Sequence, residues 1–419
     1  MQFTFIHTAD LHIGSPFRGL ASVDEKLRKK LLLASQEAFH KLIAAAIENK
    51  VDFVLICGDS FDSASGSLAE QFIFASGMRR LKENNIAVFI ITGNHDPLSD
   101  WSKNLRLPEN VTVFGPDQPQ RMVFQKNGLD VAVIYGVSYA NREENRNLAL
   151  GFKRQAGDPF SIALLHGTTG NAGSHHPYCP FSLDDLRNSG MDYWALGHIH
   201  KREIVHPAKP LVVYPGNIQG RHFNEAGEKG CYLIQVNNNR IEEPHFIPLG
   251  NVIWLNQTLN LNEIEDIVTF NSLLENKIKH WQNKHPDCSL LIRPEFTGST
   301  PLYADLANAA ALDDLLSQLN QQYSQSKNFV FFSRPKNHTL PQVNLEERRK
   351  ATDFFGELLR EVDKLKNHPE ELKKLMAELN EELPPTIRRR LTEKTDEQEI
   401  LHAAEQLLIS SFIEKTSGQ

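Results

Sequence analysis

Five short apolar runs in the first half of the chain each end on an acid, an amide or an imidazole, and this constrains the fold more than any other feature. Residues 54–57, Val-Leu-Ile-Cys, lead into Gly58-Asp59; a β-branched run that stops on a small residue and a carboxylate reads as a buried strand delivering that carboxylate into a loop. Residues 3–7 lead likewise to Asp10 and His12, and residues 87–92 to Asn94, His95 and Asp96. Residues 161–165 lead to His166, and residues 192–196 to His198 and His200. Ligands in open α/β sheets bind outside the carboxyl ends of strands. Five such ends carrying nitrogen and oxygen donors are expected to converge on one metal site, with Asp59 at its middle.

The pattern around these runs is mixed. Residues 25–49 read as a helix with Leu27, Leu31, Ala34, Ala38, Leu42, Ala45 and Ala46 on one face; residues 68–84 read as a second, with Phe72, Ala75, Met78 and Leu81 inward. From residue 111 to 236 strands follow one another with fewer helices, which suggests two packed sheets flanked by helices. After Pro248-Leu249-Gly250 the pattern restarts as a small βαβαβ unit with no dense His/Asp constellation. Beyond Pro341 the composition shifts to Glu, Lys, Arg and Leu, and three apolar stripes at helical spacing follow. Two readings fit those stripes: a helical subdomain around its own core, or a docking module for a partner's helix. The expected organisation is a catalytic domain over 1–250, an α/β cap over 251–340 and a helical region over 341–419.

A chain of 419 residues holds two or three domains of about 100 to 200 residues each. Its net charge of -7 advertises no nucleic-acid partner, although bound cations would add local positive charge that a residue count misses. Its four cysteines contain no Cys-x-x-Cys pair, so neither a disulfide framework nor a thiolate zinc site is expected. No apolar run approaches the roughly 18 residues of a membrane span, and the first residues carry no basic segment of a signal peptide. A reducing cytoplasm is the expected location, away from membranes.

Asp10, His12, Asp59, Asn94, His166, His198 and His200 form a donor set of carboxylate, imidazole and amide that suits manganese, iron or zinc and not iron–sulfur chemistry. Seven donors exceed what one catalytic ion can take while holding water; they suit two ions sharing a carboxylate. With Asp59 as the bridge, Asp10, His12 and His200 complete one set, and Asn94, His166 and His198 the other. His198 and His200 would share a face on a regular strand, so separate ions require that they lie on a loop. Two ions about 3.5 to 4 Å apart clamp a phosphate and lower the pKa of a bridging water for in-line attack. His95, beside a ligand, suits the acid that protonates the leaving oxygen. Two carboxylates compete to hold its imidazole, Asp62 and Asp96, and Asp96 equally suits a cap for the turn before Pro97.

Asp10-x-His12, Gly58-Asp59-x-x-Asp62, Gly93-Asn94-His95-Asp96, His166-Gly167 and Gly197-His198-x-His200, in this order, resemble the motif set of the calcineurin-like metallophosphoesterases. Residues 8–14, 93–96, 195–200 and 214–222 resemble more narrowly the nuclease subunit of SbcCD-type DNA double-strand-break repair complexes, YhaO-like bacterial members above all. The resemblance covers residues 1–236 by motif. It implies a four-layer α/β/β/α sandwich and two divalent ions, manganese first, with iron, zinc or magnesium as alternatives. It also implies a 3′ to 5′ exonuclease with single-strand endonuclease activity on DNA, a homodimer, and an SbcC-like coiled-coil ATPase docked on the C-terminal helices. Archaeal and eukaryotic relatives have histidine where this chain has Asp62. Ser63-Ala64 stands where protein phosphatases have Arg-Gly, which argues against phosphoprotein as substrate.

Arg18, Arg221 and His222 suit cations near a scissile phosphate, or else plain surface groups. His175 and His176 read as a polar loop, and Tyr139 either stacks on a base or closes a strand end. Two other functions compete with the DNA phosphodiesterase: a phosphodiesterase of cyclic nucleotides or small phosphoesters, and an adaptor with a vestigial metal site.

Overall fold

The computed structural model describes residues 2–15, 17, 25–62, 66–101, 105–170, 178–324, 326–342, 345–383 and 397–416. Arg18, Ser63, Ala64, His175 and His176 lie outside the described residues. The chain divides into two compact units, Met1–Asn256 with Lys284–Ile292 and Tyr323–Phe331, and Gln257–Asn283 with Arg293–Gln322 and Phe332–Gln419.

The first unit opens with β1 (Gln2–Thr8), α1 (Glu25–Glu48), β2 (Phe53–Cys57), α2 (Leu68–Glu83), β3 (Ala87–Ile91) and β4 (Val111–Val113). It continues through β5 (Gln120–Lys126), β6 (Leu129–Gly136), β7 (Phe160–His166), the ribbon β8 (Thr168–Thr169) and β9 (Pro180–Phe181), and α3 (Leu183–Arg187). Then come β10 (Tyr193–Gly197), β11 (Glu203–His206), β12 (Leu211–Tyr214), β13 (Gly230–Asn237), β14 (Arg240–Ile241) and β15 (His245–Pro248). One sheet has the order β14-β13-β1-β2-β3-β4 with β15 on β13; the other runs β11-β12-β10-β7-β6-β5. Within them β1 to β4 are mutually parallel, as are β6, β7, β10 and β12.

Alternation along the buried strands builds the layers. On β2, Val54 and Ile56 face Phe39, Leu42, Phe74 and Met78 of the two helices. Phe53, Leu55 and Cys57 point the other way, into a core shared with Ala132, Ile134, Ile162 and Tyr193 of the second sheet. The far face of that sheet buries Val133, Ala163 and Trp194 with Phe152 and Leu186. The result is the four-layer α/β/β/α sandwich.

Helix α2 begins at a capping box, Ser67 with Glu70, and buries Phe74, Ala75, Met78 and Leu81. Phe72, expected inward, is 67% exposed, with the Arg79 guanidinium over its ring. At about 100° per residue Phe72 stands roughly 200° from Phe74, and only one of the two can share the face of Met78 and Leu81.

The restart after residue 250 forms a sheet of β16 (Val252–Asn260), β17 (Ser289–Ser299), β18 (Val330–Phe332) and β19 (Lys336–Leu340), with α4 (Ile267–Lys284), α5 (Tyr303–Ala307) and α6 (Ala309–Tyr323) between strands. Strand β19, pairing in parallel with β17, goes beyond the expected βαβαβ unit. In the second unit α7 (Leu345–Lys350), α8 (Phe354–Asn367), α9 (Pro369–Glu382) and α10 (Glu397–Thr416) follow. Phe355, Leu359 and Ile409 form one small core there, and Val362, Leu372 and Leu401 another. Phe354, Leu375, Leu379 and Leu407 stay exposed.

Candidate metal centre

The parallel neighbours β1, β2 and β3 end side by side, and so do β7 and β10, where His166 is paired with Gly197. The loops beyond β1 and β2 are knitted together by main-chain hydrogen bonds from Asp10 N to Gly58 O at 3.1 Å and from His12 N to Asp59 O at 3.0 Å. Asp10, His12, Asp59 and His198 all hold positive φ, at 51, 42, 53 and 97°. Such conformations cost a non-glycine residue about 1 to 3 kcal/mol each and persist where surrounding contacts over-determine them. Glycine is required at two flanking positions. A Cβ on Gly58 would stand 2.2 Å from His166 Nδ1, and one on Gly93 2.3 Å from Asp59 Oδ1.

Seven donor side chains meet at this end of the unit. His12 Nε2 and His200 Nε2 are 3.2 Å apart, Asp10 Oδ1 is 3.7 Å from His200 Nε2, and Asp59 Oδ2 is 3.8 Å from His12 Nε2. The same Asp59 oxygen is 3.5 Å from His166 Nε2. Asn94 Oδ1 lies 3.0 Å from that nitrogen and 3.1 Å from His198 Nδ1. Strand β10 stops at Gly197, and beyond it His198 turns toward Asn94 while His200 turns toward His12.

The arrangement fits divalent cations. Two imidazole nitrogens aimed at each other repel unless a proton or a cation stands between them. Burial drives His12 and His198 down to about 3, so both are neutral, as ligation requires. Burial works against charge on His166, yet Asp59 and Asp10 hold it up at about 9. Burial also opposes charge on Asp59, but His166 and His12 keep its carboxyl below the usual range. Buried carboxylates are thus left to be balanced by neighbouring imidazoles, a task a metal ion takes over. Among the described residues, groups of His and Asp with donor atoms in mutual reach are Asp10, His12 and His200; His12, Asp62 and His95; and Asp10, Asp59 and His166.

The outer contacts choose among readings that the sequence left open. Asp62 does face His95, but through its main chain: His95 Nδ1 is 3.1 Å from the Asp62 carbonyl and 3.9 Å from its carboxylate. A carbonyl only accepts, so Nδ1 carries the proton. Asp96 is fully buried and accepts from Asp59 N at 3.1 Å, Gly93 N at 2.9 Å and Ser60 N at 2.7 Å, which makes it the clasp between two ligand loops. Burial and the Asp59 charge push it up to about 7. Tyr139 is fully buried and donates to the His166 carbonyl at 2.8 Å, so it closes a strand end and has no face to stack on a base.

Two groups behind the ligands were not legible locally. His166 Nδ1 donates to the Cys57 carbonyl at 2.9 Å, and His200 Nδ1 to Glu225 Oε1 at 2.6 Å. Such partners fix the tautomer that leaves Nε2 free to bind metal. A lone acid 25 residues after its histidine carries no spacing signal. Arg221 and His222, expected near the phosphate, also lie against Glu225: Arg221 N donates to Oε2 at 2.8 Å, and His222 Nε2 is 3.2 Å from Oε1.

A sequence model of the calcineurin-like phosphoesterases matches residues 3–202. The chain is 37% identical over 364 residues to the uncharacterized metallophosphoesterase YhaO of Bacillus subtilis, covering 87% of this chain and 88% of that one. It belongs to the calcineurin-like metallophosphoesterases. This metallophosphoesterase is also 28% identical over 295 residues to the DNA double-strand break repair protein Mre11 of Methanocaldococcus jannaschii, covering 67% of this chain and 74% of that one. To the protein of the same name from Thermoplasma acidophilum it is 29% identical over 258 residues, covering 57% and 63%. The family consists of metal-dependent phosphoesterases that bind two divalent ions. Among the described residues no helix is long and apolar enough to cross a membrane.

Proposed function

We propose that this metallophosphoesterase is a DNA phosphodiesterase, a 3′ to 5′ exonuclease with single-strand endonuclease activity, acting in double-strand-break repair. The observation that carries the reading is the gathering of seven nitrogen and oxygen donors around Asp59, with His95 beside them. Its main-chain nitrogen donates to Asp59 Oδ1 at 2.9 Å. Relatives named for DNA double-strand break repair support the choice of DNA. In this reading Asp10, His12, Asp59 and His200 hold one ion, and Asp59, Asn94, His166 and His198 the other, with manganese preferred. The bound pair supplies Lewis acidity and an activated water. His95 is the acid: with Nδ1 engaged by the Asp62 carbonyl and the side chain 38% exposed, Nε2 is the atom left to give a proton to the leaving oxygen.

The remaining parts follow the same reading. Residues 1–250 form the nuclease domain, 251–340 shape access for DNA, and 341–419 dock an SbcC-like ATPase, a role supported by the exposed Phe354, Leu375, Leu379 and Leu407. The working form is a cytoplasmic homodimer. The test is manganese-dependent degradation of end-labelled linear duplex by the wild-type chain and by His95→Ala, beside a small chromogenic phosphodiester. DNA degradation lost in the variant supports the reading. Turnover of the small ester alone, with DNA untouched even when an SbcC-like ATPase is added, overturns it.

A further inference from the structure

Arg221 is placed unlike a residue that waits for a phosphate. Its side chain is 13% exposed. Nη1 donates to Asp62 Oδ1 at 2.8 Å and to Ser15 Oγ at 3.2 Å, Nη2 stands 3.2 Å from His200 Nδ1 and 3.5 Å from Glu225 Oε1, and Nε is buried without a hydrogen-bond partner. The two carboxylates it reaches stand behind two different imidazoles. Asp62 Oδ1 is 3.1 Å from His12 Nδ1, and Glu225 Oε1 accepts from His200 Nδ1 at 2.6 Å. Those are the imidazoles whose Nε2 atoms face each other at 3.2 Å. One guanidinium thus sits behind both nitrogen donors of a single candidate ion.

We propose that Arg221 is a positioning residue that holds Asp62 and Glu225 in place, so that His12 and His200 present their Nε2 atoms to the same ion, and that it is not the phosphate anchor. The proposal rests on the two-ion reading above and deepens it. Its physical basis is charge and shape. The two carboxylates behind these imidazoles repel one another, and the cation between them offsets that repulsion. A planar fork engages both at once, as the point charge of lysine does not. Asn217 Nδ2, donating to Glu225 Oε2 at 2.9 Å, and Lys229 Nζ, donating to the His200 carbonyl at 2.8 Å, brace the same side of the site. Equivalent bracing on the other side is main chain, the Cys57 carbonyl behind His166, so the asymmetry predicts that Arg221 serves one ion only.

The experiment is calorimetric titration of the metal-free full chain with Mn2+, paired with KM and kcat for a phosphodiester at saturating Mn2+. The wild type is expected to take two ions. In Arg221→Ala and Arg221→Lys one of the two binding events weakens by about 10-fold to 100-fold, as for loss of other partners behind ligands, while the second event and KM hold. Glu225→Gln, which keeps the side-chain shape, is expected to weaken the same event. Two unchanged events with a raised KM would make Arg221 the phosphate anchor and overturn the proposal. Equal weakening of both events with a lowered melting temperature would reduce it to a structural residue and overturn the proposal as well. A wild type that takes fewer than two ions would instead sink the two-ion reading itself.

Discussion

The ligand loops of the first unit and the surface charges of α8 and α9 in the second make contacts of different range. His12 meets His200 across 188 residues, His166 meets Cys57 across 109, and Arg221 meets Asp62 across 159. His12, His166 and Cys57 are buried, His200, Arg221 and Asp62 half-buried, and four of the ligand-loop residues hold left-handed backbone. In α8 and α9 many polar contacts are local and exposed: Lys364 with Glu361 and Glu371, Lys373 with Glu370. Distant, buried contacts make a site that distorts little when metal binds; local, exposed ones make a surface that tolerates change. The difference teaches that the cost of a polar substitution in this protein follows burial and range, and not the number of charges involved.

The largest effect is expected from the centre of the buried set. Asp59→Asn should lower metal-dependent phosphodiester hydrolysis by more than the roughly 100-fold typical of outer partners, with a cooperative melt retained. Steady-state rates beside a melting curve check this, and full activity would break the comparison at its strongest point. In the helices the comparable substitution is apolar. Leu359→Ala, emptying a site that is 1% exposed, should destabilise that unit by about 2 to 5 kcal/mol while Mn2+ affinity is kept. Urea unfolding followed by limited proteolysis reads the first, calorimetry the second. A parallel loss of metal affinity would show that the two regions are not independent.

A buried polar group remote from the ligands separates burial from metal binding. Asp158 receives Arg121 and the Tyr135 hydroxyl; burial opposes its charge, and those two donors together hold its carboxyl below the ordinary carboxylate range. Asp158→Asn should cost about 1 to 3 kcal/mol. Because the folded value is depressed, the stabilisation is complete above the unfolded carboxyl value of about 3.9 and is lost as pH falls through the folded value. Urea midpoints from neutral to acid should therefore fall less steeply in the variant than in the wild type. The smallest effect is assigned to the helix surface: Lys364→Ala should leave the urea midpoint unmoved within error and insensitive to salt, since exposed pairs are screened. A clear shift would show that the helices depend on their surface charges.

The alternation of strands and helices and the donor residues at the strand ends were legible in the chain, and the four layers through the family resemblance; the order of the strands in the two sheets was not. Buried parallel strands need continuous apolar runs, and each run here ends at the residue it delivers. The same local patterns placed Phe72 where Phe74 lies, because both spacings fit an amphipathic helix and only the opposing Phe39 and Phe61 select between them. They also put Asp62 behind His95 with Asp96 as its competitor. Tertiary structure parted the two, burying Asp96 under three main-chain donors and turning the Asp62 carboxylate toward His12 and Arg221. Glu225 and the inward setting of Arg221 belong to tertiary structure entirely. Periodicity reports which face of its own element a residue occupies; a hydrogen bond between loops more than a hundred residues apart depends on the register of two sheets, and no repeat within either loop encodes it.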